Sequence, residues 1–229
     1  MKRLAANRHG KSGRRADTKR NILDAAEMLF AARGYHPTSL RAVTRAAKAN
    51  LAAVHYHFGS KQALLEAVIA RRLTPLNAER QARLAALPEA AGPGDILRTF
   101  LEPTLELRDA SAGGRQFITL VGRAMVEPDE SVRSVFLAQM QGLLEQLFGR
   151  LSRALPQLSG QAVFWRLFFA LGTMAHTLRM ADKFRQVPPG VTTEVSTEEL
   201  IDMLTGFIAA GMEQGEPAGP PRPARGDAE

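Results

Sequence analysis

The chain has 229 residues, 45% of them apolar and 23% charged, a balance that sets aside disorder as the state of the whole molecule. It has no cysteine, which excludes disulfides, thiolate zinc sites and cysteine nucleophiles, and no apolar run of the 18 or so residues needed to cross a membrane. The net charge of +7 is uneven: residues 1–20 hold eight Lys/Arg against Asp17 alone, residues 21–61 hold five against Asp24 and Glu27, and the remainder is slightly acidic. A basic N-terminal quarter on an acidic body points to a nucleic-acid end and a second part with another job. Charge alone leaves a solvated basic tail equally open. The opening MKRLAANRHG has no apolar stretch behind it to make a signal peptide, so a cytoplasmic protein is expected.

Helical periodicity runs from residue 17 to about 213 without a strand pattern, so the expected fold class is all-α. Residues 1–15 and the Pro- and Gly-rich 215–229 are expected to stay unstructured. The first helix should start with Asp17 as its cap, bury Ile22, Leu23, Ala26, Leu29 and Phe30, and stop at Gly34. Thr38 or Ser39 caps a short helix through Ala47, with Leu40, Val43 and Ala47 inward. After a turn at residues 48–50, a second short helix from Leu51 to Phe58 turns Leu51 and Val54 inward. Ser60 caps a long helix from Lys61, disrupted at Pro75 and continuing to Leu87. Further helices are expected at about 95–108, 115–126, 130–155, 160–184 and 197–213. Their dividers are Gly113-Gly114, Pro128 and the breaks at 156–160 and 188–190, and Pro103 should kink its helix.

Two short helices joined by a tight turn and set on an amphipathic helix match the helix-turn-helix plan, whose second helix enters the major groove. If Leu51 and Val54 pack inward, Ala52, Ala53 and His55 face DNA, where alanines touch thymine methyl groups but read no hydrogen bonds. Arg41 is the candidate for a bidentate guanine contact, and Ser39 can offer its hydroxyl and nearby backbone N–H groups to a phosphate. Asn50 is read as a cap in preference to a base reader, and Phe58 as core. Lys11, Arg14 and Arg15 suit diffuse phosphate contacts better than a fixed minor-groove arm.

Residues 21–72, with GYHPTSLR and VHYHFGSKQALL as the most diagnostic segments, closely resemble the DNA-binding domain of the tetracycline-repressor (TetR) family. The resemblance implies an all-helical homodimeric regulator: a basic arm over 1–15, a helix-turn-helix domain over 16–61, a ligand-binding and dimerisation domain over 62–214, and a tail over 215–229. It also implies that Tyr56, His57 and Lys61 clamp phosphates and that Arg41 touches bases. On the residues themselves, Tyr56 packing under the helix pair and His57 acting as a structural hydrogen-bonder stay open. One departure stands out: the family commonly has glycine where this chain has Lys48. That lysine must either take a positive φ, costing about 1 kcal/mol, or reshape the turn.

No catalytic constellation, phosphate loop, metal motif or cofactor fingerprint is found, so neither catalytic nor metal residues are expected. His55 and His57 point apart on a helix, and His176 stands without a carboxylate one turn away. In the body, Pro103, Phe117, Val121, Met125, Phe136, Met140, Leu144 and Phe148 are candidates for an apolar ligand lining. Met and Phe at helical spacing are more often simple core. The segments FITLVGRAMVEPDESVRSVF and WRLFFALGTMAHTLRM are similar to family members that respond to fatty acids or acyl-CoA, and Arg123, Arg166 or Arg179 could meet such a ligand's polar head. Phe164, Phe168, Leu171, Leu178, Leu204 and Phe207 are the expected dimer interface.

The reading is therefore a repressor released from a palindromic operator in double-stranded DNA by an apolar small molecule. The expected effector is a long-chain fatty acid or acyl-CoA; the alternative is a hydrophobic drug-like ligand in a regulator of efflux genes. A ligand-independent DNA-binding protein is the opposing hypothesis.

Overall fold

The structure is a computed structural model describing residues 3–126, 130–180 and 187–215, with side chains for 15–122, 130–178 and 187–215. Among the described residues there are nine helices and no strand, so the fold is all-α. In chain order these are α1 (Arg3–Arg33), α2 (Leu40–Ala46), α3 (Leu51–Phe58), α4 (Lys61–Ala86), α5 (Pro93–Ala110), α6 (Ala112–Val126), α7 (Glu130–Ala154), α8 (Gly160–Met180) and α9 (Thr197–Glu213).

Side chains set the limits of the short helices. Gly34 takes φ 89° after α1, and buried Thr38 turns its hydroxyl back to donate to the carbonyls of Gly34 (2.8 Å) and Leu29 (3.3 Å). That leaves Ser39 as the cap of α2, accepting from Ala42 N at 3.1 Å. Asn50 caps α3 through Ala53 N at 2.8 Å, and Ser60 caps α4 through Ala63 N at 3.0 Å. Ile22, Ala26, Leu29 and Phe30 of α1 close over Val43, Val54 and Leu64, giving the three-helix head one core with the start of α4.

Several expectations are corrected. The helix α1 reaches back to Arg3 instead of starting at Asp17, which lies inside it and pairs with Arg20 at 2.8 Å. Leu4, Ala5, Ala6 and the following Lys and Arg residues favour extension of an already nucleated helix, and Gly10 and Gly13 oppose it most. Pro75 does not divide α4, which is continuous from Lys61 to Ala86. Gly113 and Gly114 belong to the first turn of α6, because Ser111 Oγ accepts from Gly114 N (3.0 Å) and starts that helix immediately after α5. The corner is tight enough that a Cβ on Gly114 would sit 1.9 Å from the carbonyl oxygen of Leu107. One on Gly113 would sit 2.1 Å from Nη2 of Arg72.

The head is fastened to the body through α4 and α6, both of which pack against α1. Glu27 of α1, 1% exposed, accepts from Arg72 Nε (3.0 Å) and Nη2 (3.3 Å) and pairs with Arg71 of the same helix. Further along, Leu73, Leu76 and Leu84 bury their side chains among α5, α6 and α7. At the far side α9 lies along α5, started by a capping box between Ser196 and Glu199 and tied by the Arg98–Asp202 ion pair.

Candidate DNA interface and effector cavity

The exposed faces of α2 and α3 gather the candidate DNA-reading side chains. Ser39 and Arg41 at the start of α2 are exposed, as are Ala52, His55 and Tyr56 on α3. Tyr56 is 70% exposed, which removes the alternative of packing under the helix pair. Its ring lies edge-on to His57 (5.0 Å between centroids), and Arg15 stands 5.6 Å above it, bringing one arm cation to this face. The His55 ring nitrogen Nδ1 lies 2.9 Å from the carbonyl of Gly59. A carbonyl only accepts, so Nδ1 carries the proton and Nε2 is left facing outward. Lys61 donates to the carbonyl of His36 at 3.2 Å and lies 4.3 Å from the Tyr35 ring centroid, so the turn after α1 holds the ammonium beside the interface. Tyr35 is itself fixed by donating to Gln62 Oε1 at 3.1 Å.

Two orientations differ from expectation. Leu51, expected inward, is 39% exposed, while Ala53, expected to face DNA, is half-buried against the core. Val54 and Phe58 anchor α3, while Leu51, the first residue of the helix, stands at the exposed end of that face. Lys48 has φ 51°, so the strained alternative is the one adopted. Its carbonyl-side neighbour Ala49 closes the turn by donating to Thr44 O at 2.9 Å, which requires that left-handed step.

In the body, a cavity of about 80 Å³ lies among α4, α5, α6, α7 and α8. Of the candidates for a ligand lining, Phe117, Val121, Phe136, Met140 and Leu144 border it, joined by Leu171 and Leu178, which the sequence had assigned to the dimer interface. Pro103 is buried but not among the lining residues; its neighbours Phe100 and Thr104 are. Phe148 lines instead an open groove of about 1050 Å³ between α7 and α8, and Met125 lies outside the described side chains. Cavity and groove share a wall: Leu137, Leu144, Leu171 and Ala175 border both.

Sequence reasoning missed Arg80, the most informative residue of this cavity. It is 4% exposed on α4, with its guanidinium carbon 4.0 Å from the Phe100 ring centroid. Nε donates to Phe100 O (3.1 Å), Nη1 to Asn77 Oδ1 (3.0 Å), and Nη2 to Thr104 Oγ1. Burial lowers its pKa to about 9, which still leaves it cationic at neutral pH. The available signal was its register: positions 73, 76, 80 and 84 form one stripe of α4, and the other three are leucine. Of the arginines expected near a ligand, Arg166 instead bonds the carbonyls at the end of α9, including Met212 O at 2.7 Å, whereas Arg123 and Arg179 lie outside the described side chains.

The helices α8 and α9 also present a bare aromatic surface. Phe164, Trp165, Phe168 and Phe169 are exposed, with edge-on rings 5.7 and 5.8 Å apart from Trp165, and Phe207 is 70% exposed. Leu204, expected on this surface, is 6% exposed and packs into the chain's own core. Among the described residues no helix is long and apolar enough to cross a membrane, and no group of three acidic or histidine side chains could hold a metal ion.

The chain belongs to the TetR family: residues 22–68 match the bacterial regulatory proteins of the tetR family, and residues 98–211 match a tetracyclin repressor-like C-terminal domain. It is thus a DNA-binding transcriptional regulator and not an enzyme. The transcriptional regulator UidR of Escherichia coli K12 is 35% identical over 193 residues, covering 84% of this chain and 80% of that protein. Two solved structures share the fold at lower identity. FadR of Bacillus subtilis in complex with stearoyl-CoA gives a TM-score of 0.65 at 15% identity, over 83% of this chain and 97% of that one. AibR in complex with isovaleryl coenzyme A and operator DNA gives 0.60 at 19%, over the same shares.

Proposed function

We propose that the protein is a homodimeric repressor whose two α3 helices read a palindromic operator and that an apolar acyl compound, entering the body, releases it. The observation that carries the effector half is the apolar cavity against Leu73 and Leu76, because these residues stand on the same helix as Lys61 at the DNA face. A ligand shifts a conformational equilibrium only through different affinities for the two states, and a lining that includes α4 supplies that difference. A coupling of about 1–3 kcal/mol corresponds to a 5- to 150-fold loss of DNA affinity. The structures of FadR with stearoyl-CoA and of AibR with isovaleryl coenzyme A support an acyl effector by analogy.

For the dimer, the exposed aromatic surface of α8 and α9 supports pairing of these helices with those of a second copy. A two-fold axis there would set the recognition helices about one DNA turn apart.

The test begins with operator DNA selected by the protein from a random library, followed by titration of the complex with fatty acids and acyl-CoAs of graded length. Release by one chain-length class is expected. Val121→Trp, which fills the cavity from α6, should abolish release while leaving DNA affinity without ligand nearly unchanged. Failure of every acyl compound to release the wild-type complex would leave a DNA-binding regulator with a different effector or none.

A further inference from the structure

The cavity holds a cation with no anion to match it. Glu79, Glu102 and Glu106, the acids nearest in sequence on α4 and α5, all turn to Arg83, at 2.7, 3.0 and 2.9 Å. Arg80, three residues earlier, faces Phe100 and Thr104 on the same α5 helix and forms no ion pair among the described residues. Its oxygen partners are a backbone carbonyl, an amide and a hydroxyl, all neutral. A guanidinium has five N–H groups, so two remain beyond those three bonds. One of them reaches only the Met140 sulfur at 3.7 Å, a weak acceptor. Hydrogen bonding is nearly complete, yet the charge is uncompensated. Burying a cation on those terms is costly unless something else supplies the negative charge.

We propose that Arg80 anchors the carboxylate of a free organic acid in this cavity, with the acid's apolar tail passing toward the α7–α8 groove. The proposal rests on the effector reading above and specifies its chemistry. A carboxylate displacing the Met140 sulfur takes up the two remaining N–H groups and neutralises the guanidinium in one step. Arg80 and Thr104 are the polar side chains of an otherwise apolar lining, so the head group has one place to go.

Size fixes the direction. The cavity of about 80 Å³ has room for a head group, since one water needs only about 10–15 Å³ on the same measure. A tail of several carbons must continue through the wall of Leu137, Leu144, Leu171 and Ala175 into the larger groove. The charged end is therefore innermost. A coenzyme A thioester has its charges on the bulky end and no carboxylate at the acyl carbon, so it cannot satisfy Arg80 in this way.

Calorimetric titration of the whole protein with octanoate, octanamide and octanoyl-CoA, and with benzoate and benzamide as a compact pair, tests this. Each acid should bind at least 10-fold tighter than its amide, and Arg80→Met should remove that preference with little change for the amides. Because Arg80→Met alters a buried residue on which folding can depend, the wild-type protein with carboxyl-13C octanoate provides an independent reading. Beside Arg80 the bound carboxyl titrates below its free value; in an apolar cavity without that contact it titrates above. An upward shift, equal affinity for acid and amide, or no binding of either acid overturns the anchor. Octanoyl-CoA releasing DNA equally from wild type and Arg80→Met would also overturn it and leave the acyl-effector reading standing. Arg80-dependent binding of acids that leaves DNA affinity untouched keeps the anchor and removes the effector reading.

Discussion

Arg80 and Arg83 sit one turn apart on α4, and both point at α5, yet they meet opposite surroundings. Arg83 is half-buried among three glutamates that raise its pKa, first through its bond to Glu79; Arg80 is buried among neutral groups that leave its charge unmatched. The same contrast separates the two ends of the molecule. In the DNA-binding head the helix caps find their partners three residues away, as Ser39, Asn50 and Ser60 show. In the body the decisive partners lie on other helices. Local bonds make a geometry that tolerates little change but travels with its sequence; distant ones make a chamber whose character depends on what faces what.

The comparison breaks most severely where the body is tightest. Gly114→Ala places a Cβ against the backbone of α5 at Leu107, and only opening the α5–α6 corner relieves it. A loss of about 3 kcal/mol is expected, seen as a lower urea midpoint in equilibrium unfolding. In the head, Arg41→Ala should leave folding intact and weaken operator binding by about 2 kcal/mol, relaxing preference at one base pair per half-site. Competition among operator variants reads this out, and an unchanged ranking would remove Arg41 from base recognition. Asn50→Ala deletes one cap and should cost about 1 kcal/mol of stability, with a matching loss of helix content confined to α3. The smallest change has the opposite sign. Lys48→Gly relieves φ 51° and should raise the thermal midpoint, by an amount equivalent to about 0.5–1 kcal/mol. The gain sharpens the contrast if it comes with no change in the body's hydrogen exchange.

The same division explains what the sequence could tell. Helix ends at Ser39, Asn50, Gly59 and Ser60 were legible because a cap acts within three residues. The strain at Lys48 was legible as one of two outcomes, for the same reason. Five of the cavity-lining residues were readable from apolar spacing on α6 and α7, but Leu171 and Leu178, assigned to the dimer interface, also border the cavity. A helix that is apolar nearly all round does not say which face is interior. Leu204 failed likewise: α9 buries Ile201, Leu204 and Ile208 against α5, and exposes Met203 and Phe207. Arg80 was invisible as chemistry because its meaning lies in Phe100 and Thr104, twenty or more residues away.

Gly113 shows what a missing atom can do. The space its Cβ would need is filled by the Arg72 guanidinium, which reaches back to Glu27 on α1, so three helices meet at a residue that contributes no side chain. Every missense change of a glycine codon adds that atom. Genetically, then, alanine and tryptophan begin with the same 2.1 Å encounter, and each must move the end of the Arg72 side chain before any difference in size is felt. Selection for regulators with altered control should find the joint between head and body at this codon, far from both the bases and the cavity.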